Sequence, residues 1–343
     1  MLKTVEIAGG GLAGLSLGVA LRKRGVPVVV REAGTYPRHR VCGEFLNGVT
    51  ERTLQVLGVE HLFTDALKHE RTGWWIEGRP VLETRLEKPA LGLSRWEMDQ
   101  RLAGELLKQG GTLQVKTRVP RLDREGLVWT AGRILEKQSR WIGLKAHFTG
   151  VEVEGLEMHL GRGGYVGLTP VHEGVNVAGL FTEPLSQTGQ RRDQRRGAGT
   201  LISYLSSIGL EQLADRLRAG AMIKKSLTGV SHFALGGQRG EEGLMVLGDA
   251  ERMIPPFTGN GMSMAFESAE CALRPVHAWA EGALSWEEAR SEVRLALDQR
   301  FQERVRLALL LHRFLVTGVG RASLGAAARS HLLPFHWLHR RLS

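Results

Sequence analysis

The chain opens on a short apolar run, residues 2–8, that stops at Gly9-Gly10-Gly11-Leu12-Ala13-Gly14. A run this short, bounded by glycine, predicts a buried parallel strand. From Leu12 to Arg24 apolar positions return at helical spacing, Gly25 closes the helix, and Val26–Val30 predicts a second strand. Strand, turn, helix and strand make one βαβ unit. Residues 34–48 show no period and predict a loop, and 49–69 predict a helix. Residues 71–93 alternate weakly around Trp74, Trp75 and Pro80 and predict strands. Helical spacing resumes over Trp96–Gln109, ends at Gly110-Gly111, and gives way to a strand at 112–115. Between 126 and 180 the runs are short and strand-like, 190–218 predict helix, and 221–235 predict strand. A last apolar run, Leu244–Leu247, enters a second glycine-rich turn, Gly248–Gly261, and helices follow to the end.

This order predicts an α/β fold, a Rossmann-like nucleotide domain interrupted by a mostly antiparallel β domain, with C-terminal helices. The expected boundaries are 1–70, 94–135 and 240–285 for the nucleotide domain, 71–93 and 136–239 for the inserted one, and 286–343 for the helical end.

With 343 residues, 42% hydrophobic and 24% charged, the chain suits a large globular core. No apolar run reaches the length of a spanning helix. The first residues read as a strand and not as a signal peptide. Cys42 and Cys271 form no metal-like pair, so a cytoplasmic location is expected. The net charge of +10 is concentrated. Residues 291–343 carry nine arginines against Glu292, Asp298 and Glu303, and Arg191-Arg192-Asp193-Gln194-Arg195-Arg196 forms a second cluster. These are either solvated helix faces or a surface for anionic partners. No nucleic-acid-binding motif accompanies them, so no nucleic-acid partner is expected.

Gly9, Gly11 and Gly14 stand between a strand and a helix in the spacing that dinucleotides require. Gly9 permits the tight turn, Gly11 lets a pyrophosphate approach the backbone, and Gly14 lets helix and strand pack closely. The N–H groups at the helix start, from Leu12 and Ala13 onward, favour phosphate. Glu32, at the end of the second strand and followed by Ala33, is placed for ribose hydroxyls. Its charge opposes a 2′-phosphate, leaving NAD and FAD. The second turn discriminates between them, because FAD is long and needs a second holding segment. Gly248 and Asp249 can take the ribityl or pyrophosphate region, Pro255 and Pro256 fix an extended approach, and Gly259, Asn260, Gly261 and Met262 put N–H groups at a helix start.

On these motifs the chain resembles the superfamily of FAD-dependent flavoprotein monooxygenases and geranylgeranyl reductases, with the para-hydroxybenzoate hydroxylase fold. Pro37-Arg38-His39-Arg40-Val41-Cys42-Gly43-Glu44 is similar to a flavin-proximal segment of the reductase branch. Leu93-Ser94-Arg95-Trp96-Glu97-Met98-Asp99 is similar to a strand–helix junction whose arginine contacts the cofactor. The resemblance therefore implies cofactor contacts for Arg40, Cys42, Gly43 and Arg95. From the residues alone, Arg38 and Arg40 either steer an acidic group or face water, Arg95 is either a surface charge or a cofactor clamp, and Cys42 reads as a small buried residue or a thiol. The chain departs from the hydroxylase pattern at Ala131, where an Asp linked to FAD and NAD(P)H use would stand.

The resemblance implies a monooxygenase that hydroxylates a hydrophobic aromatic, polyketide- or lipid-like molecule through a flavin C4a-hydroperoxide. Two alternatives stand beside it: an FAD-dependent reductase of isoprenoid double bonds, and a flavin-binding electron-transfer partner without its own substrate. Electrons would come from NAD(P)H or a separate donor. Trp74 and Trp75 are candidates for the substrate wall or for the core. No catalytic base is assigned among His147, His159, His172 and His232, and no metal is expected. The basic, aromatic C-terminal helices either pack on the cofactor domain or lie peripherally on an anionic membrane.

Overall fold

The computed structural model describes residues 1–182, 198–238, 243–330 and 332–342. The Arg191–Arg196 cluster lies outside the described residues. A five-stranded parallel sheet forms the first layer, with Val5–Ala8 at its centre. Val28–Arg31 and Leu127–Trp129 flank it, and Thr112–Gln114 and Met245–Val246 close the two edges. Helices pack on the sheet because its central strands carry apolar side chains that must be buried: Val5, Ile7, Val30 and Val128 are fully buried. The helix Leu12–Arg22 packs against both Arg95–Lys108 and Gly261–Glu281.

The second sheet has eight strands and is mostly antiparallel, with one parallel pairing between Leu67–Ile76 and Leu156–Gly161. Arg79–Gly92 and Phe45–Leu46 lie on one side of that pair, and Gly164–Val171, Gly174–Thr182, Trp141–Thr149 and Ala221–Ser231 on the other. Two elements differ from the sequence expectation. The helix expected over 49–69 is short, Glu51–Leu57, because Gly58 takes the left-handed conformation that ends it. The strand Leu67–Ile76 then begins before residue 71, and Phe45–Leu46, expected as loop, joins the same sheet. In the 190–218 stretch the described helices are Ala198–Ser207 and Glu211–Ala219.

The chain ends in three helices, Trp286–Leu315, Gly318–Arg329 and Phe335–Leu342. The first begins with a capping box at Ser285 and Glu288. Among the described residues no single helix is long and apolar enough to cross a membrane.

Candidate FAD site

The two glycine-rich turns lie at opposite ends of the sequence and meet in space. Gly248, at φ 62°, sits so close to the first helix that a Cβ there would lie 3.3 Å from the Cβ of Ala13. Its N–H donates to the Ser268 hydroxyl at 3.1 Å. Both turns leave a strand of the parallel sheet at its C-terminal edge, where open α/β sheets bind their ligands.

At the first turn the four glycines do different work. A side chain at Gly9 or Gly14 would strike backbone: Thr130 and Ala131 in the first case, the Gly9 carbonyl in the second. A side chain at Gly10 would strike the Tyr36 hydroxyl, which donates to the Gly10 carbonyl at 2.5 Å. Gly11 alone faces open space, with no atom within 4 Å of its would-be Cβ. It caps the helix, so the N–H groups of Leu12, Ala13 and Gly14 have no intrahelical acceptor and are available to an anion. Bare backbone opening onto a cleft at a helix start is the shape a pyrophosphate requires.

Glu32 is buried and receives the Gly10 N–H at 2.9 Å and the Gly34 N–H at 2.7 Å. Arg38 reaches the same carboxylate at 2.7 Å and Arg40 at 3.4 Å. Burial opposes ionisation, but the Gly34 amide, Arg40 and Arg38 outweigh it and hold the carboxyl below its ordinary range. Arg38 and Arg40 therefore do not simply face water. Their charge also offsets that of Glu32, so the acid's repulsion of a 2′-phosphate is weaker than the sequence suggested.

Arg40 has a second partner, Asp99, at 2.8 Å. Asp99 is fully buried and takes Arg95 bidentately, at 2.8 and 2.9 Å. Arg95 thus spends its fork on Asp99, and its guanidinium also bonds the Cys42 thiol. Burial pushes that thiol pKa up, so Cys42 stays protonated. Asn176 fixes the same turn by donating to the carbonyls of Cys42 and Gly43 at 3.0 and 2.9 Å.

At the second turn Asp249 is exposed to the cleft yet closely surrounded by protein. Desolvation raises its carboxyl pKa, against the pull of Arg95, Arg133 and Arg40. An acid so placed is suited to hydrogen-bonding hydroxyl groups. Arg133 follows Ala131 in the segment that departs from the hydroxylase pattern, and that segment borders the Gly9 turn. At the helix start, expectation and structure differ in part. The Gly259 N–H is taken by the Pro256 carbonyl at 3.0 Å and the Asn260 N–H by the Thr258 hydroxyl at 3.3 Å. Those two residues close a turn begun at Pro256, and the N–H groups without intrahelical acceptors belong to Gly261, Met262 and Ser263. The open Gly11 backbone, the cleft-facing acid and the second helix start fit a long dinucleotide. Such a cofactor would lie with its pyrophosphate at Gly11–Gly14 and its flavin end toward Gly261.

Behind the Cys42–Gly43 turn lies a polar cluster that the sequence did not reveal. Glu44, at φ 59°, is buried and holds Lys145 at 2.8 Å and His147 at 2.6 Å. It also accepts the Arg95 N–H at 2.9 Å, and Lys145 lies 3.1 Å from His39. His39, Glu44 and His147 come near enough together to suggest a metal centre. The Lys145 ammonium, itself fully buried, supplies the positive charge there. Burial and Lys145 lower the His39 pKa to about 4. His159 is likewise paired with an acid, Glu157, at 2.8 Å, whereas His172 and His232 are exposed.

Beyond the Phe257–Thr258 turn is an apolar cavity with about 980 Å³ of empty space, its opening to solvent included. Phe45, Trp74, Leu82 and Met158 wall it from the second sheet, and Leu315 and Leu338 from the C-terminal helices. Trp75 points the other way and stacks on His159, ring centroids 4.7 Å apart.

Residues 2–149 match the family model described as FAD binding domain. Solved structures share the fold across nearly the whole chain. Pseudomonas aeruginosa PqsL, solved in complex with 2-aminobenzoylacetate, is 16% identical at a TM-score of 0.72, over 94% of this chain and 99% of its own. The flavin-dependent brominase Bmp2 is 18% identical at 0.75, over 99% and 93%. A geranylgeranyl bacteriochlorophyll reductase-like protein from Thermoplasma acidophilum is 20% identical at 0.75, over 97% and 92%. No curated protein sequence matches the chain. The fold is the one shared by FAD-dependent monooxygenases and geranylgeranyl reductase-like flavoproteins, and residues 2–149 carry the FAD-binding part of it. The protein is an FAD-dependent oxidoreductase built on that fold.

Proposed function

We propose that the enzyme is a cytoplasmic monooxygenase acting on a hydrophobic aromatic, polyketide- or lipid-like molecule. One atom of O₂ enters the substrate, and the other leaves as water with two electrons from NAD(P)H or a separate reductase. The carrying observation is the apolar cavity that starts at Phe257 and Thr258, beside the flavin end of the cleft. Bound FAD supplies the redox chemistry. The chain holds the pyrophosphate at Gly11–Gly14, offers Asp249 to the cofactor's hydroxyls, and keeps water from the reacting face with Phe45, Phe257 and Leu315. That PqsL was solved with an aromatic acid supports a ring-bearing substrate. The cavity weighs against an electron-transfer role without substrate.

Reduction of isoprenoid double bonds is the second reading, favoured by Cys42-Gly43-Glu44 and by the reductase-like neighbour. One experiment separates the two. The FAD-loaded protein is reduced anaerobically with NADH, NADPH or dithionite, and then offered O₂ or an alkene. Substrate-dependent oxygen uptake with an oxygenated product supports the monooxygenase. Saturation of the alkene without oxygen supports the reductase and sinks the first reading.

We also infer that the C-terminal helices rest on an anionic membrane surface. Arg300, Arg304, Arg321 and Arg340 are spent on Glu267, Glu77 and Glu87, so only part of the basic charge is available. On Trp286–Leu315, however, Arg306, Leu310, Arg313 and Phe314 are exposed at helical spacing on one face. Farther along, Arg341 lies over the exposed Trp337 ring at 5.7 Å. Co-sedimentation with vesicles containing phosphatidylglycerol, and not with pure phosphatidylcholine, is the expected result. Equal failure with both refutes the contact.

A further inference from the structure

Most of the cavity wall offers only carbon, and its few polar groups are unequal. Glu157 borders the cavity, but its carboxylate is taken by His159 at 2.8 Å and by Arg216. Thr258 donates to the Pro255 carbonyl at 3.0 Å and accepts from the Asn260 N–H. Asn47 and His339 differ from both, because they meet each other at the cavity wall and their contact joins two remote parts of the chain. His339 Nε2 lies 3.0 Å from Asn47 Nδ2. An amide nitrogen only donates, so Nε2 accepts and the neutral ring carries its proton on Nδ1. Asn47 is anchored in turn, since its carbonyl accepts the Ser263 hydroxyl at 2.5 Å. Ser263 stands in the first turn of the helix at the flavin end.

The helix Phe335–Leu342 is thus fastened to the cofactor end twice. Besides Asn47–His339, Asn260 donates to the Leu342 carbonyl at 2.5 Å. The same helix adds a flat wall. Phe335 stacks beside His339 with ring centroids 5.8 Å apart, and meets Trp74 edge-on at 6.2 Å. Flat aromatic walls favour a planar partner, and the Asn47–His339 corner favours one polar group on it.

We propose that His339 is a specificity-determining residue, which with Asn47 receives the single hydroxyl or carbonyl group of an otherwise apolar aromatic substrate. The substrate class is then a phenol or aryl ketone with a large ring body. Polyacids and sugars fit poorly, because the wall has too few polar groups to satisfy them. This rests on reading the cavity as the substrate site.

The test uses the FAD-loaded protein, titrated with 2-naphthol and with naphthalene while the flavin absorbance is followed. Wild type should prefer 2-naphthol by about tenfold, the worth of one net hydrogen bond in a dry site. His339→Phe should lose the preference while naphthalene affinity stays within about twofold, and His339→Gln, which can still donate and accept, should keep most of it. If His339→Phe releases FAD, Asn47→Leu reads the same preference from the partner side. A preference that survives in His339→Phe, or in Asn47→Leu where that variant replaces it, overturns the assignment and leaves the cavity reading intact. If neither ligand disturbs the flavin of wild type, the cavity reading falls and the assignment falls with it.

Discussion

The phosphate end of the cleft is made from one stretch of chain, the βαβ unit from Val5 to Gly34, and mainly from backbone. The flavin end is assembled from side chains near residues 42–47, 95–99, 133, 176, 249–263 and 342. Asp99 ties the two together, through Arg40 on one side and Arg95 on the other. A phosphate is met by N–H groups that any sequence supplies once the turn is correct, so a short motif suffices. A ring with polar edges needs particular side chains at particular points, and these come from wherever the fold can bring them.

Cutting the shared link should have the largest effect. Asp99→Ala leaves Arg40 and Arg95 side by side without their carboxylate, and loss of one partner from such a buried set costs about 3–5 kcal/mol. Urea unfolding measures it, and a change below about 1 kcal/mol would show that the two ends do not depend on Asp99.

Gly14→Val breaks the phosphate end alone. Its side chain meets the Gly9 carbonyl and Thr130, neither of which can retreat. FAD affinity should fall by about a hundredfold, near 2.7 kcal/mol. Fluorescence titration with FAD reads this, and near-normal affinity would mean the turn does not carry the pyrophosphate.

Acid should separate the ends in sequence. Burial and Lys145 lower the His39 pKa to about 4, and burial alone lowers that of His312, under the flavin turn, to about 4. The unfolded chain therefore binds more protons than the native one below the ordinary histidine value of about 6.5. Stability from these two groups is complete above that pH and is lost as pH falls toward 4. Glu32 at the phosphate end has its carboxyl lowered from 4.5, so its contribution persists above that value and goes only at lower pH. Hydrogen exchange at several pH values should show the flavin end loosening first. Simultaneous loosening would refute the separation.

Asn260→Ala should be the mildest. It removes one hydrogen bond to the Leu342 carbonyl, worth about 1 kcal/mol. Faster exchange confined to residues 335–342 is expected, and unchanged exchange there would mean the C-terminal helix is held by packing.

Much of the cleft was legible because its signals are local. Gly9, Gly11 and Gly14 each mark a place where backbone must turn, open or pack, and Glu32 follows from the strand that ends beside them. Gly248–Met262 was readable for the same reason, although two of its N–H groups proved to close their own turn. Asp99 lay within the Arg95 segment without being singled out, since nothing local says that two arginines converge on it. Glu44, Lys145 and His147 were unreadable as a group, because strand pairing and a left-handed backbone at Glu44 bring them together. Trp74 and Trp75 were indistinguishable in sequence, yet successive strand residues face opposite sides, and only Trp74 reaches the cavity.

By itself, then, the sequence determined the cofactor class, for an FAD cleft is written in two short motifs governed by backbone sterics. The order of the elements determined that a second, mostly antiparallel sheet would interrupt the nucleotide domain. Tertiary structure decided how the flavin end is charged, which tryptophan faces the cavity, and that the last helix closes it with His339 against Asn47. Those outcomes depend on contacts between residues far apart in the chain, which no local period or spacing encodes.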